Sequence, residues 1–133
     1  MKFLLDTHLL IWAAVSEGID RTMPAEACAL VDDLTNDLYF SAASIWEVAI
    51  KFGKGRGDFP VDPHVLRRAL NDEQYIELGV TSAHGAATAQ LPPIHGDPFD
   101  RLLVAQATIE GLTLLTADKR LAEYPGPIRL IGR

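Results

Sequence analysis

The sequence predicts an α/β fold: a mainly parallel sheet of four to five strands, covered by helices on both faces. Three observations carry that prediction. Short apolar runs alternate with helix-spaced segments from one end of the chain to the other. Several of those runs are apolar at successive positions, the pattern of strands buried on both faces rather than one. The chain has 133 residues, 48% of them hydrophobic and 23% charged, with no repeat and no low-complexity tract, which suits one domain over residues 1–133 with a core of useful size.

The elements follow in order. "KFLL" is a buried strand ending at Asp6, and "THLLIWAAV" carries helical spacing at Leu9, Trp12 and Ala13. After the polar loop "SEGIDRTM", Pro24 opens a helix, "PAEACALVDDLT", with Ala27, Leu30, Val31 and Leu34 on one face. "DLYFS" is the second strand. Its exit, "SAASIWEVAIKFG", contains Ser44-x-x-Glu47, a capping-box pattern that starts a helix, with Ile45, Trp46, Ala49, Ile50 and Phe52 as its apolar positions. "GKGRGDFPVDP" is a glycine-rich, partly basic loop, and "HVLRRAL" a short helix behind Pro63. "YIELGV" is the third strand, and "SAHGAATAQL" a helix stopped by Pro92 and Pro93. "HGDPFDRLLVAQA" opens a long helix that buries Leu102, Leu103, Ala105, Gln106, Ala107 and Ile109 and closes at Gly111. "LTLLT" is a fully apolar fourth strand, "ADKRLAEY" a short helix and "IRLI" a final edge strand. Trp12 and Trp46 sit at apolar helical positions, so core packing is expected of both. Cys28, the single cysteine, lies among alanines and is expected in the core, with no partner for a disulfide or a zinc knuckle.

Bulk properties exclude some function classes. A net charge of −6 and a pI near 5.1 argue against affinity for nucleic acid through a generally basic surface, although cations held in one acidic pocket would offset the charge locally. The N-terminal apolar run is broken by Asp6 and His8 and is too short to span a bilayer, which predicts a cytoplasmic protein with no membrane association. The glycine-rich loop has no following Lys-Ser/Thr and no G-x-G-x-x-G after a strand, so it is not read as a nucleotide cradle.

The acids are more informative. Asp97 and Asp100 flank Pro98 at the start of the long helix, where the plainest reading is an N-cap and a first-turn carboxylate facing the helix dipole. In a parallel sheet, however, the carboxyl ends of all strands reach one edge, where ligands bind. Asp6 ends the first strand, Glu47 follows the second, Asp97 and Asp100 open the long helix, and Asp118 follows the fourth strand. Capping needs one side chain per helix, and Thr7, Ser44 and Thr116 already stand at three of these starts. The carboxylates are then surplus, and they would repel one another across a shared crevice unless a cation relieved them. An all-oxygen donor set, with no histidine or cysteine at metal-binding spacing, selects Mg²⁺ or Mn²⁺ over zinc. Such a site suits phosphodiester hydrolysis.

The blocks "LLDTHLLIW", "SAASIWEVAIK", "LPPIHGDPFDRLLVAQA" and "GLTLLTAD", in this order and spacing, resemble the PIN domain family, and within it the VapC-type ribonuclease toxins of bacterial toxin–antitoxin pairs. The resemblance covers nearly the whole chain. It implies a three-layer α/β/α sandwich, Mg²⁺ or Mn²⁺ dependence, endonucleolytic cleavage of single-stranded RNA, a cognate VapB-type antitoxin and a homodimer. Carried over by position, Asp6, Glu47 and Asp100 match the family's three core acids, Asp118 its more variable fourth, and Thr116 a hydroxyl position near the site. Asp97 belongs to the "DPFDR" signature, chiefly as a helix cap. The sequence departs from the family's pattern in "GKGRGDFP". Arg101 is a candidate contact to the RNA backbone, followed by Lys51, Lys54, Arg56, Lys119 and Arg120; Glu47 and Lys51 also have the spacing of an ordinary helical ion pair. His8, His84 and His95 are scattered, and none is required as a general base. Two rival readings stand beside the enzyme. One is a catalytically inactive PIN-fold interaction domain. The other, a phosphoryl-accepting receiver domain, is weakened because Leu5 and Thr7 flank Asp6 where it would have an acidic pair.

Overall fold

A computed structural model describes residues 1–14, 24–54 and 61–132. Eleven elements follow one another: β1 (Lys2–Leu5), α1 (Thr7–Ala14), α2 (Ala25–Asp32), β2 (Asp37–Ser41), α3 (Ala42–Gly53), α4 (Pro63–Asp72), β3 (Ile76–Leu78), α5 (Ser82–Ala87), α6 (Pro98–Glu110), β4 (Thr113–Thr116) and β5 (Ile128–Leu130). Single 3₁₀ turns at Thr88–Gln90 and Leu121–Glu123 complete the path. The sheet has five strands in the order β3-β2-β1-β4-β5, and every pairing is parallel.

Strand β1 explains the layering. Phe3, Leu4 and Leu5 are all fully buried, and successive side chains of a strand point to opposite faces. Phe3 and Leu5 join Leu115, Phe40 and residues of α1, α2, α3 and α4, among them Leu9, Leu10, Val48 and Leu66, in one core. Leu4 and Leu114, paired across the sheet, join Leu103, Val104 and Ala107 of α6 and Tyr124 in a second core. Helices α1 to α4 therefore cover one face, and α6 with α5 packed on it covers the other, giving the three-layer α/β/α sandwich. The chain runs outward from β1 through β2 to β3 and then returns to the opposite side of β1 for β4. That reversal opens a crevice at the carboxyl ends of β1 and β4.

The long helix starts and stops as expected. Asp97 accepts the Phe99 N–H at 2.8 Å with Pro98 in the first turn, and Gly111, at φ 70°, supplies the left-handed closing residue. Other expectations need correction. Helix α3 is capped by Ser41, whose hydroxyl accepts the Ala43 N–H. Ser44 and Glu47 therefore lie inside the helix, and no capping box forms there. Helix α2 stops at Asp32 because the Asp33 carboxylate turns back onto the Thr35 N–H and hydroxyl, which leaves Leu34 98% exposed instead of core-facing. Cys28, one step round the helix from buried Ala27, is exposed. Ile109 is 46% exposed, since the buried positions of α6 run from Leu103 to Ala107. Trp46 is 63% exposed and sets its ring edge-on to Phe99 of α6, 5.4 Å between centroids, rather than entering the core. The segment "ADKRLAEY" makes only the Leu121–Glu123 turn, because Pro125 bars helical backbone at Tyr124. Most of the loop "GKGRGDFP", including Arg56, lies outside the described residues, as does all of "SEGIDRTM". Among the described residues, no helix is long and apolar enough to cross a membrane.

Two-sided burial of β1 predicts a graded response to truncation. Leu4→Ala should lower unfolding free energy by about 3 kcal/mol in urea titrations, whereas Ile109→Ala should cost less than about 1 kcal/mol. Equal losses in the two variants would contradict the layering.

Candidate functional site

The crevice beside β1 and β4 is a cavity of about 200 Å³. Asp6, Thr7, His8 and Ile11 line it from the β1–α1 junction, Glu47 and Lys51 from α3, His95, Asp97 and Asp100 from the entry to α6, and Asp118 from the exit of β4. Five carboxylates named from the sequence thus share one cleft. Thr116 is fully buried and reaches the cleft through its hydrogen bond to Asp6.

Each acid is held by its own local chemistry. Asp6 is 5% exposed; its Oδ1 accepts the Leu9 N–H at 2.9 Å, which caps α1, and its Oδ2 accepts the Thr116 hydroxyl proton. Thr116 Oγ1 in turn accepts the Asp118 N–H at 3.0 Å, so one threonine ties the exits of β1 and β4 together. Burial pushes the Asp6 carboxyl above its ordinary value, against the lowering effect of these hydrogen bonds. Glu47 is also 5% exposed: Oε1 accepts from Thr7 Oγ1 at 2.8 Å and Oε2 from Lys51 Nζ at 2.9 Å, the helical ion pair that the spacing allows. Thr7 Oγ1 and Ser44 Oγ share a further hydrogen bond, 2.9 Å long. Thr7 and Ser44, expected as helix caps, instead support Glu47, and the cap of α1 is Asp6 itself. Asp118 is more open and accepts the Arg120 N–H at 2.9 Å.

Asp100 is perturbed by the other acids as well as by burial. Burial, then the charges of Asp97, Glu47, Asp6 and Asp118, push its carboxyl from 3.8 to about 7. Four like charges act on one half-buried group, which is the repulsion that the sequence pattern implied.

Two residues differ from expectation. His95, treated as unconnected to the acids, places Nε2 3.3 Å from Asp100 Oδ2 and 3.7 Å from Asp118 Oδ2. Ligand-type atoms of these three residues lie within 4.8 Å of one another, so an imidazole joins what was read as an all-oxygen cluster. Its sequence signal was adjacency: His95 stands two residues before the Asp97 cap, on the same short loop. Arg101 goes the other way. Its guanidinium donates to the carbonyls of Pro92 and Thr88, each at 2.9 Å, and to the Tyr124 hydroxyl at 3.1 Å, and it sits over the Tyr124 ring behind the cleft rather than lining it. His84 is structural: its ring accepts the Thr81 N–H at the start of α5 and pairs with Glu110 at 2.8 Å.

The sequence matches the PIN domain family over residues 3–127. The chain belongs to that family. No curated protein matches it. Among solved structures, this PIN domain resembles a chain of VapBC2 from Rickettsia felis, crystallised with a DNA fragment from its promoter. That match has a TM-score of 0.66 at 16% identity and covers 98% of each chain. It also resembles FitAcB from Neisseria gonorrhoeae, with a TM-score of 0.52 at 23% identity, covering 90% of this chain and 89% of that one. The likeness at these identities is one of fold. In this PIN domain the donors offered to a cation are mainly carboxylate oxygens under mutual repulsion, a set that suits a hard divalent ion.

The raised Asp100 value fixes a pH dependence. The folded protein holds that proton more tightly than the unfolded chain does, so Asp100 favours folding below its ordinary value of 3.8, and the contribution is lost as pH rises through about 7. In chelating buffer, Asp100→Asn should therefore melt above the wild-type protein by a larger margin at about pH 8 than at about pH 5. A gap of the same size at both pH values would contradict the electrostatic origin of the shift.

Proposed function

We propose that this PIN domain is a Mg²⁺- or Mn²⁺-dependent endoribonuclease that cleaves single-stranded RNA and acts as the toxin of a bacterial toxin–antitoxin pair. The observation that carries the reading is the convergence of Asp6, Glu47, Asp100 and Asp118 from separate segments on one cleft, with the Asp100 carboxyl pushed to about 7. Asp6, Glu47 and Asp100 would hold the ion and Asp118 complete its shell. Such an ion supplies Lewis acidity that eases deprotonation of water and offsets charge growing on the phosphate.

The chain's own residues set the conditions for that chemistry. Thr116 and Leu9 each take one oxygen of Asp6, and Thr7 and Lys51 each take one oxygen of Glu47. Both carboxylates are thereby held in one orientation while each oxygen keeps a further lone pair. Lys51 adds a positive charge to a cleft wall that would otherwise repel a phosphodiester. The likeness to VapBC2 supports a VapB-type antitoxin as partner; a homodimer and a cytoplasmic setting belong to the same proposal.

One observation favours the rival reading, a catalytically inactive PIN-fold interaction domain. Asp6, Asp97 and Asp118 each accept a backbone N–H, so each has a structural role without a metal. Asp100 separates the readings: no backbone N–H among the described residues donates to its side chain, and burial beside four other acids disfavours its charged form.

The test is cleavage. Antitoxin-free protein incubated with labelled single-stranded RNA should give internal fragments with Mg²⁺ or Mn²⁺ and none with a chelator. Asp6→Asn and Asp100→Asn should each lose at least about 100-fold in rate, more than supporting residues around a metal usually carry, with circular dichroism unchanged. Cleavage retained by both variants, or absent with every divalent ion, would reject the enzyme.

A further inference from the structure

We infer that His95 is a substrate-contacting residue of this cleft: an imidazole locked with its proton on Nε2, which offers one fixed N–H donor to a phosphate oxygen of the RNA and is not a metal ligand. The inference rests on the ribonuclease reading for the identity of the substrate; the tautomer and the exclusion from the metal stand independently.

The tautomer follows from one hydrogen bond. His95 Nδ1 accepts the backbone N–H of Asp97 at 3.1 Å. A ring nitrogen that accepts has no proton, so in the neutral ring the proton is on Nε2. A cation at Nε2 would need that lone pair and would drive the proton to Nδ1, where two N–H groups would face each other at the same 3.1 Å. Proximity to Asp100 and Asp118 therefore does not make His95 a ligand, although its Nε2 belongs to the same atom cluster. The donor points where the carboxylates are, 3.3 Å from one and 3.7 Å from the other.

The loop bearing His95 is clamped. The His95 N–H donates to the Tyr124 hydroxyl at 2.8 Å, and that hydroxyl donates back to the His95 carbonyl at 2.9 Å. Arg101 Nη1 donates to the same hydroxyl at 3.1 Å, and Arg120 donates to the Ile94 carbonyl next door. The imidazole is thus held before any ligand arrives, with its side chain 20% exposed. Among the described residues that line the cleft beside its five carboxylates, Lys51, His8 and His95 are the basic groups that can attract an anionic backbone. Lys51 is engaged with Glu47, and His8 lies exposed at the rim. His95 is the donor at the acidic centre, and a preorganised donor in a partly dehydrated site is worth most to the charge that forms during reaction.

The experiment has two arms. Long-range ¹H–¹⁵N correlation spectra, with the His95 signal among the four histidines assigned by its loss in His95→Gln, should show the proton on Nε2. His95→Ala should bind Mn²⁺, followed by the EPR signal of the free ion, within about twofold of the wild-type protein, because no ligand is lost. The same variant should lose about tenfold or more in kcat/KM on single-stranded RNA, as removal of a hydrogen bond to a charged group does. His95→Gln, whose amide nitrogen reaches the position of Nε2, should recover most of that loss, and His95→Asn should not. A proton on Nδ1, a large loss of Mn²⁺ affinity in His95→Ala, or cleavage by His95→Ala at the wild-type rate would each overturn the inference. If the wild-type protein itself cleaves no RNA, the ribonuclease reading fails and the phosphate contact with it, while the spectra and Mn²⁺ binding still decide between donor and ligand.

Discussion

Mutual repulsion among carboxylates held in one half-buried cleft is the constraint around which this PIN domain is arranged. A parallel sheet with the order β3-β2-β1-β4-β5 brings the ends of β1 and β4 to one crevice, and both exits carry an aspartate. The protein meets the repulsion with short, specific partners: Thr116 on Asp6, Thr7 and Lys51 on Glu47, backbone N–H groups on Asp97 and Asp118. These partners do not remove the cost: burial still raises the Asp6 carboxyl, and that of Asp100 is pushed to about 7. A cleft tuned in this way favours a cation over any neutral ligand.

Behind the cleft, the polar groups that sequence reasoning assigned to RNA act on the protein itself. Arg101 and Arg120 both donate to carbonyls of the segment before α6, and Tyr124 closes on His95 from the far side. The basic residues flanking Asp100 and Asp118 thereby fix the loop that presents His95 and Asp97, so the site is held on the rigid entry to α6 instead of on a free loop.

Much of this was legible in the sequence. Alternating apolar runs located all five strands, and the two-sided apolarity of "KFLL" and "LTLLT" identified the parallel sheet whose central pair they form. The acids followed from topology, because strand exits of a parallel sheet meet at one edge whatever their sequence separation. Hydrogen-bond partners were not legible, because they depend on side-chain directions that only the folded backbone sets. Ser44 and Glu47 fit a capping box on paper, yet Ser41 starts the helix three residues earlier and turns both side chains inward. Trp46 fits an apolar stripe and instead stands outside on Phe99. His95 was passed over because spacing rules for metal ligands consider one segment at a time, whereas its neighbours Asp100 and Asp118 come from the two sides of β4.

The claim on which all of this depends is that the assembled acids form a cation site. Anomalous diffraction at the manganese edge, from crystals of the protein soaked in Mn²⁺ near neutral pH, tests it most directly. The account predicts a strong peak on the floor of the cleft within bonding distance of Asp6 and Asp100. Peaks confined to surface carboxylates elsewhere, with the cleft empty at the same Mn²⁺ concentration, would contradict it.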